Sequence, residues 1–420
     1  MQNAKCKMQK VGARSYNLQF AICNLHFAFR PLATILLSHA ILSAQGFAAE
    51  PFNVVPADGP AFSASLVGVS TDWKLQLNEN GKPRTMAARD LVTLGKFVDA
   101  AHGTQLLFAD GGLLVANLVK SDTDVLTVDS TLFGELKLPL ESLIGIVLHP
   151  PADPQRRDAL IARVNSVGGD ADRLILDNGD ELTGTIETIT KESVDFASRV
   201  GKVQIETARI AALAFNPTLV DHIKPSGLRG MIGFSDGSRL MANSMTLDDT
   251  QIGVTTTGKQ SWKANREHLR ALQVFGGRAM YLSDLKPAAY KHIPFLELPW
   301  PFYADRNCLG NQLRSEGAVH PKGLGMHSTA RLTYSLTGQK RFAAEVCLDA
   351  QTGGRGSVTF RVFADSEQLY ASPVVRGNMP PVPISVELPE GAKTLSLIVD
   401  FAERGDELDH ANWLNARLVD

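Results

Sequence analysis

Four residues near the C-terminus, Asp409, His410, Asn412 and Trp413, bring together side chains that a sugar site needs. A pyranose offers an apolar C–H face that an aromatic ring can cover. Its vicinal hydroxyls are best met by planar, multivalent groups such as Asp, Asn, His and Arg. His327 in Gly323-Leu324-Gly325-Met326-His327-Ser328 adds an imidazole, and Arg355 in Gly353-Gly354-Arg355-Gly356 adds a guanidinium. The ligand-binding set read from sequence is therefore His327, Arg355, Asp409, His410, Asn412 and Trp413. The same stretch is open to calcium, which takes about six to eight oxygens, several of them carboxylate. Asp400, Glu403, Asp406, Glu407 and Asp409 crowd one segment. Asp400, Asp406 and Asp409 are the calcium candidates; the alternative is a solvated acidic loop, since the run lacks EF-hand order. No other cofactor is required.

Each candidate also has a structural reading. If 409–413 is extended, His410 and Asn412 point one way and Asp409, Ala411 and Trp413 the other, which favours Trp413 as a core residue. His327 contacts either a ligand or the loop holding Asp409, or is a buried histidine satisfied by backbone. Arg355 is placed to clamp Asp349, Asp400 or Asp409 as a bidentate guanidinium. Gly-Gly-Arg-Gly is not a phosphate loop, because no Lys-Ser/Thr follows and the next element reads as a strand.

Three segments carry a family resemblance: Gly323–Ser328, Gly353–Val362 through Ser357-Val358-Thr359-Phe360-Arg361, and Asp409–Leu418. Tyr281–Pro287, with Asp305-Arg306-Asn307 and Gly310, extends it upstream. In this order and spacing they resemble the NPCBM family, carbohydrate-binding module family 51, whose members occur beside glycoside hydrolases such as those of family 98. The resemblance covers roughly the last third of the chain. It implies a β-sandwich, a carbohydrate or glycosylated partner, possession of a structural calcium in related modules, and galactose-type glycans as the ligand class. Two positions depart from the pattern: Phe401 stands where an acidic residue is expected after Asp400, and Asn412 stands where Asp is expected.

The elements that must position these residues are short and alternating. Trp73, Leu75 and Leu77 alternate with polar residues before Asn78-Glu79-Asn80-Gly81, and Asn-Gly between such runs marks a hairpin because both tolerate φ > 0. A repeat follows. Asp110-Gly111, Asp177-Asn178-Gly179 and Asp236-Gly237 precede Leu114-Val115-Ala116, Leu182-Thr183-Gly184 and Leu240-Met241-Ala242. Each unit closes 38 residues after its turn aspartate, at Leu148, Phe215 and Val274. Such self-similarity is read before other signals. Each unit reads as a curled five-strand meander, patterned like SH3-like or Sm-like barrels, and the segment ending at Leu94 resembles a fourth, degenerate unit. The turn aspartates cap their own turns and form no catalytic cluster. The expected fold class is all-β: a C-terminal jelly-roll-like β-sandwich preceded by repeated small barrel units. The expected boundaries are a leader at 1–49, a β segment with the first clear repeat at 50–150, repeats at 155–216 and 226–276, and the sandwich at 277–420. Pro150-Pro151-Ala152-Asp153-Pro154 and Asn216–Leu228 read as linkers.

The chain has 420 residues and a net charge of −2, with no basic cluster interleaved with aromatics, which argues against nucleic acid. Lys5, Lys7, Lys10, Arg14 and Arg30 precede the apolar run Leu32–Ala44 and small residues at Ala48-Ala49. That is the order of a secretory signal, and the run falls short of the ~20 residues of a membrane span. The alternative is an uncleaved signal anchor. Export is expected, with no stable span after cleavage. Besides Cys6 and Cys23 in the leader, only Cys308 and Cys347 occur; in an oxidising compartment they are a candidate disulfide, and the alternative is two separate buried thiols. No Gly-x-Ser-x-Gly elbow stands between a strand and a helix, and the short β units offer no cleft for two opposed carboxylates. The chain reads as a non-catalytic, exported carbohydrate-binding protein. The alternative is an envelope or extracellular interaction protein without a sugar site.

Overall fold

The Asn80-Gly81 pair takes φ values of 52° and 84° and folds strand Lys74–Glu79 back onto Lys82–Ala87. The structure, a computed structural model, describes residues 51–222, 226–295 and 298–420. The leader at 1–49, with Cys6, Cys23 and the export signal, lies outside the described residues.

Between residues 52 and 275 one strand pattern occurs four times. In the third unit it runs Asp172–Leu176, Glu181–Ile189, Ser193–Ser198 and Gly201–Glu206, then a single 3-10 turn, Thr207–Arg209, then Ile210–Ala214. The first strand of the unit pairs with both the second and the last, so the sheet curls over its own apolar face. The fourth unit repeats this from Arg229–Phe234 to Leu269–Phe275, with Arg266–His268 as the turn before the last strand. The segment 50–150 holds two copies, one closing on Leu91–Gly95 and one on Leu143–Val147. Two of the turn aspartates cap as expected: Asp110 Oδ1 accepts from Gly112 N–H at 2.8 Å and Asp236 Oδ1 from Ser238 N–H at 2.8 Å. At the Asp177 turn Asn178 does so instead, accepting from Asp180 N–H at 3.0 Å.

Units this small bury too little apolar surface to stand alone, and they join in pairs through their closing strands. Leu94 faces Leu272 across the first and fourth units; Ile146 faces Leu213 across the second and third. At the second seam a Cβ on Gly145 would lie 2.3 Å from the Leu213 carbonyl oxygen, so only glycine permits the approach. An α-helix, Pro154–Asn165, covers that seam, burying Leu160, Ile161 and Val164 against Val147, Ala212 and Ala214. Sequence reading took the residues before it, with Pro154 itself, for a linker. Asp153 caps it by accepting from Arg156 N–H at 2.9 Å, and Pro154 fits its first turn.

The sandwich consists of two antiparallel sheets. One runs Tyr303–Ala304, Gly323–His327, His410–Val419, Arg341–Leu348, Val382–Glu387; the other runs Ala289–His292, Ala330–Ser335, Thr394–Phe401, Ser357–Ala364, Glu367–Ala371. Met326, Val346 and Trp413 from the first meet Leu332, Phe360 and Leu397 from the second. The sandwich is not tethered on a spacer. Strand Ala318–His320 pairs with Phe97–Val98 from between the first two units. Gln273 Nε2–H donates to Asn415 Oδ1 at 2.9 Å. Arg314 of the sandwich reaches the buried Asp158 on the helix at 2.5 Å. Among the described residues no helix is long and apolar enough to cross a membrane.

Candidate functional site

Strand Gly323–His327 alternates strictly. Leu324 and Met326 enter the core, so Gly323, Gly325 and His327 face outward. A Cβ on Gly325 would stand 2.3 Å from the Asn307 backbone, so this glycine lets the loop after Tyr303–Ala304 lie against the sheet. Asn307 shapes that loop, accepting from Leu309 N–H and Asn311 N–H, each at 3.0 Å. His327 lies opposite His410 on the neighbouring strand, and the rings are 5.9 Å apart.

The third wall is Trp300, which sequence reading did not select. Its indole stacks on His327 with centroids 4.4 Å apart and planes 6° from parallel, and lies 6.1 Å from His410. Its loop is closed at both ends. Tyr290 O–H donates to the Trp300 carbonyl at 2.7 Å, and Trp300 N–H donates to His292 Nδ1 at 3.2 Å. That bond places the His292 proton on Nε2, which donates to the Ser328 carbonyl at 3.0 Å. His327 Nδ1–H donates to the same oxygen at 2.8 Å, leaving its Nε2 as an acceptor. Flanking Pro299 and Pro301 were the available signal: they keep the tryptophan out of a central strand.

Burial favours the neutral form of His327 and His410. Burial holds His327 below the ordinary imidazole range. Burial, with His327 adding to it, pushes His410 down to about 4. His410 is 6% exposed and its Nδ1 has no hydrogen-bond partner. Neutral imidazoles both donate and accept, as hydroxyl ligands require. Phe295, from the segment leading to Trp300, and Phe401 meet edge-on at 6.0 Å, 58% and 46% exposed. Phe401, the departure from the expected acid, thus supplies an aromatic surface. Phe295 also lies against Gly405, in the loop that carries Asp406, whose charge acts on His327.

The other predicted residues do different work. Asp409 is wholly buried and pins three segments: it accepts from Ser328 Oγ–H at 2.6 Å and Ser357 N–H at 2.9 Å. Burial outweighs these bonds and pushes its carboxyl up to about 6. Trp413 is corrected from ligand contact to core, fully buried with Phe360 edge-on at 5.0 Å. Asn412 faces the same side as His410; it is buried, its Nδ2–H donates to Asp349 at 2.7 Å, and its Oδ1, like His410 Nδ1, has no partner. Arg355 clamps none of its three expected partners; it is exposed and reaches Glu407 at 3.5 Å.

The calcium set does not assemble. Asp400 pairs with Arg361 at 2.6 Å, the Asp409 oxygens are occupied as above, and among the described residues no three His, Cys, Asp or Glu side chains are placed to hold a metal ion. The Cys308–Cys347 disulfide is also corrected: both thiols are free and buried. Cys347 packs with Leu313 and Leu414, whereas Cys308 lies toward Tyr290, and burial pushes both thiols up.

Residues 278–419 match the NPCBM/NEW2 domain family. A Renibacterium salmoninarum protein named for endo-alpha-N-acetylgalactosaminidase activity is 32% identical over 111 residues, 26% of this chain and 7% of that protein. Alpha-1,3-galactosidase B of Akkermansia muciniphila is 30% identical over 115 residues, 26% of this chain and 14% of that protein. The chain thus spans a small fraction of the length of the curated relatives it matches. Among solved structures, the CBM51 module of a Clostridium perfringens GH95 protein in complex with methyl-galactose aligns with TM-score 0.30 and 26% identity, over 34% of this chain and 99% of that one. The tandem CBM51 modules of a Streptococcus pneumoniae family 98 glycoside hydrolase align with TM-score 0.30 and 12% identity, over 61% of this chain and 90% of that one.

Proposed function

We propose that the NPCBM/NEW2 domain of this chain binds carbohydrate without catalysing its hydrolysis, at the sandwich end formed by the loops around Trp300 and Phe401, and that the chain is exported. The observation that carries this reading is the Trp300–His327 stack, with the buried, unpartnered His410 Nδ1 on the neighbouring strand. Neutral imidazoles provide directed bonds to hydroxyls, and the exposed Phe295–Phe401 pair provides a face for the apolar side of a ring. The names of the two curated relatives support galactose or N-acetylgalactosamine as the ligand class. The leader sequence supports export.

The non-catalytic reading rests on how the nearby carboxylates are used. Glycoside hydrolysis needs two carboxyl groups facing a bond from opposite sides. Here Glu403 is held by Arg376 at 2.6 Å, Glu407 by Arg355 at 3.5 Å, Asp400 by Arg361 at 2.6 Å, and Asp409 is buried. Asp406 is left without an opposed partner from this group.

A second reading is favoured by the apolar rim. Ile293, Phe295, Leu298 and Phe401 are all exposed, and exposed apolar groups together also suit a protein partner. A glycan array with the full chain, run with calcium and with chelator, separates the two. Retention of galactose- or N-acetylgalactosamine-terminated glycans, lost in Phe401→Ala, supports sugar binding. A blank array with folded protein sinks that reading and leaves protein docking.

A further inference from the structure

A cavity of about 140 Å³ lies where the second and fourth barrel units, the helix and the sandwich loop meet. Its apolar wall includes Leu107, Ile161 and Met231, and its polar groups include Arg239, Arg306 and Gln312. No carboxylate lines it. The space is well above the roughly 10–15 Å³ that one probe-sized water needs, so a tetrahedral anion has room.

The surrounding charges are unevenly matched. Asp99 accepts from Arg157 at 2.6 Å and from Arg314 at 3.0 Å. Asp158 accepts from Arg314 at 2.5 and 2.9 Å, and from Gln312 N–H at 2.8 Å. Those two carboxylates are therefore taken up by Arg157 and Arg314. Arg239 makes one side-chain bond, to the neutral Gln312 Oε1 at 2.8 Å. Arg306 reaches only the Asp305 carbonyl at 3.4 Å. Among the described residues neither guanidinium has a salt-bridge partner. Burial brings Arg239 down to about 10; Arg306 and Arg314 push the same way and the Asp99 and Asp158 charges oppose them without pairing with it, so it stays charged at neutral pH. Arg239 is half-buried and Arg306 exposed; a half-buried guanidinium without an ion-pair partner still loses part of its hydration, and a second one on the same cavity repels it.

We propose that this cavity binds a small oxyanion, a carboxylate, sulfate or phosphate group held between Arg239 and Arg306. The guanidinium fork matches such groups bidentately. The ligand would also bridge two parts of the fold, because Arg239 begins a strand of the fourth barrel unit and Arg306 belongs to the loop of the sandwich. This site is separate from the Trp300 site and does not depend on the sugar reading.

The test is thermal unfolding of the full chain titrated with sodium phosphate, sodium sulfate, glucuronate and glucose, each against sodium chloride at matched ionic strength. The expected result is a saturable rise in melting temperature with at least one oxyanion and none with glucose. Arg306→Gln, on the accessible side, should raise the half-saturation concentration at least tenfold, and Arg239→Gln should abolish the response. Saturation by glucuronate alone identifies an acidic sugar as the source, and saturation by phosphate or sulfate identifies a free oxyanion. Equal responses of wild type and Arg306→Gln, or a rise no larger than that with chloride, would overturn the proposal.

Discussion

Replacing Asp409 with Asn should remove one specific pH dependence from the stability of the fold. The Asp409 carboxylate is wholly buried, between Ser328 Oγ–H and Ser357 N–H, and its folded pKa is raised from 3.8 to about 6, chiefly by burial. A folded value above the unfolded one means that the folded chain holds this proton more tightly. The resulting stability is fully present below the unfolded pKa and is lost as pH rises through about 6. A shift of roughly two units corresponds to about 3 kcal/mol, at 1.36 kcal/mol per unit. His410 and His320, both pushed down to about 4 by burial, act with the opposite sign: stability is lost as pH falls from their ordinary value toward 4. The wild-type profile therefore mixes opposed trends, and the difference between wild type and Asp409→Asn isolates the carboxyl. Asn preserves the pin, because its oxygen can accept from Ser357 N–H and its NH2 can donate to Ser328 Oγ. In urea unfolding followed by tryptophan fluorescence, the variant should gain about 2 kcal/mol on wild type between about pH 4.5 and 8. Parallel profiles across that range would refute the reasoning.

Asp158→Asn strips charge from the carboxylate that holds Arg314 and Gln312. It should destabilise the chain by about 3–5 kcal/mol, as breaking a buried pair does, and split the calorimetric transition as sandwich and barrels uncouple; one unshifted transition would count against a rigid junction. Trp413→Ala should cost about 3–5 kcal/mol in urea unfolding, the range for a buried Trp, and an unchanged midpoint would contradict its place in the core. Cys308 and Cys347 should both alkylate in denaturant without reductant and resist alkylation when folded, read by peptide mass; failure to alkylate without reductant would restore the disulfide.

The parts of the fold legible in sequence were those fixed by short-range physics. Asn80-Gly81, Asp110-Gly111 and Asp236-Gly237 announced turns because their backbones demand those residues, and the spacing to Leu148, Phe215 and Val274 exposed the repeat. Alternation correctly separated His410 and Asn412 from Ala411 and Trp413. What escaped depended on distant partners. Trp300 gains its role from Tyr290, His292 and His327; its flanking prolines signal a loop residue but not the distant partners that close the loop. Phe401 read as a lost carboxylate because its partner Phe295 lies far away in the sequence. Arg355 was assigned three plausible acids and found a fourth, since an exposed guanidinium is not held by local pattern. The helix at Pro154–Asn165 was masked by the prolines before it, although Asp153-Pro154 is also a helix start. The ion chain from Arg157 through Asp99, Arg314 and Asp158 joins segments far apart in the chain and has no sequence signature.

The most direct measurement is calorimetric titration of the full chain with galactose- and N-acetylgalactosamine-terminated oligosaccharides, comparing wild type with Phe401→Ala, Trp300→Ala and Arg306→Gln. Saturable binding by wild type, weakened at least tenfold in the first two variants and unchanged in Arg306→Gln, is the predicted result. Absence of binding by folded wild type, or equal binding by all four proteins, would contradict a sugar site at the Trp300–His327 stack.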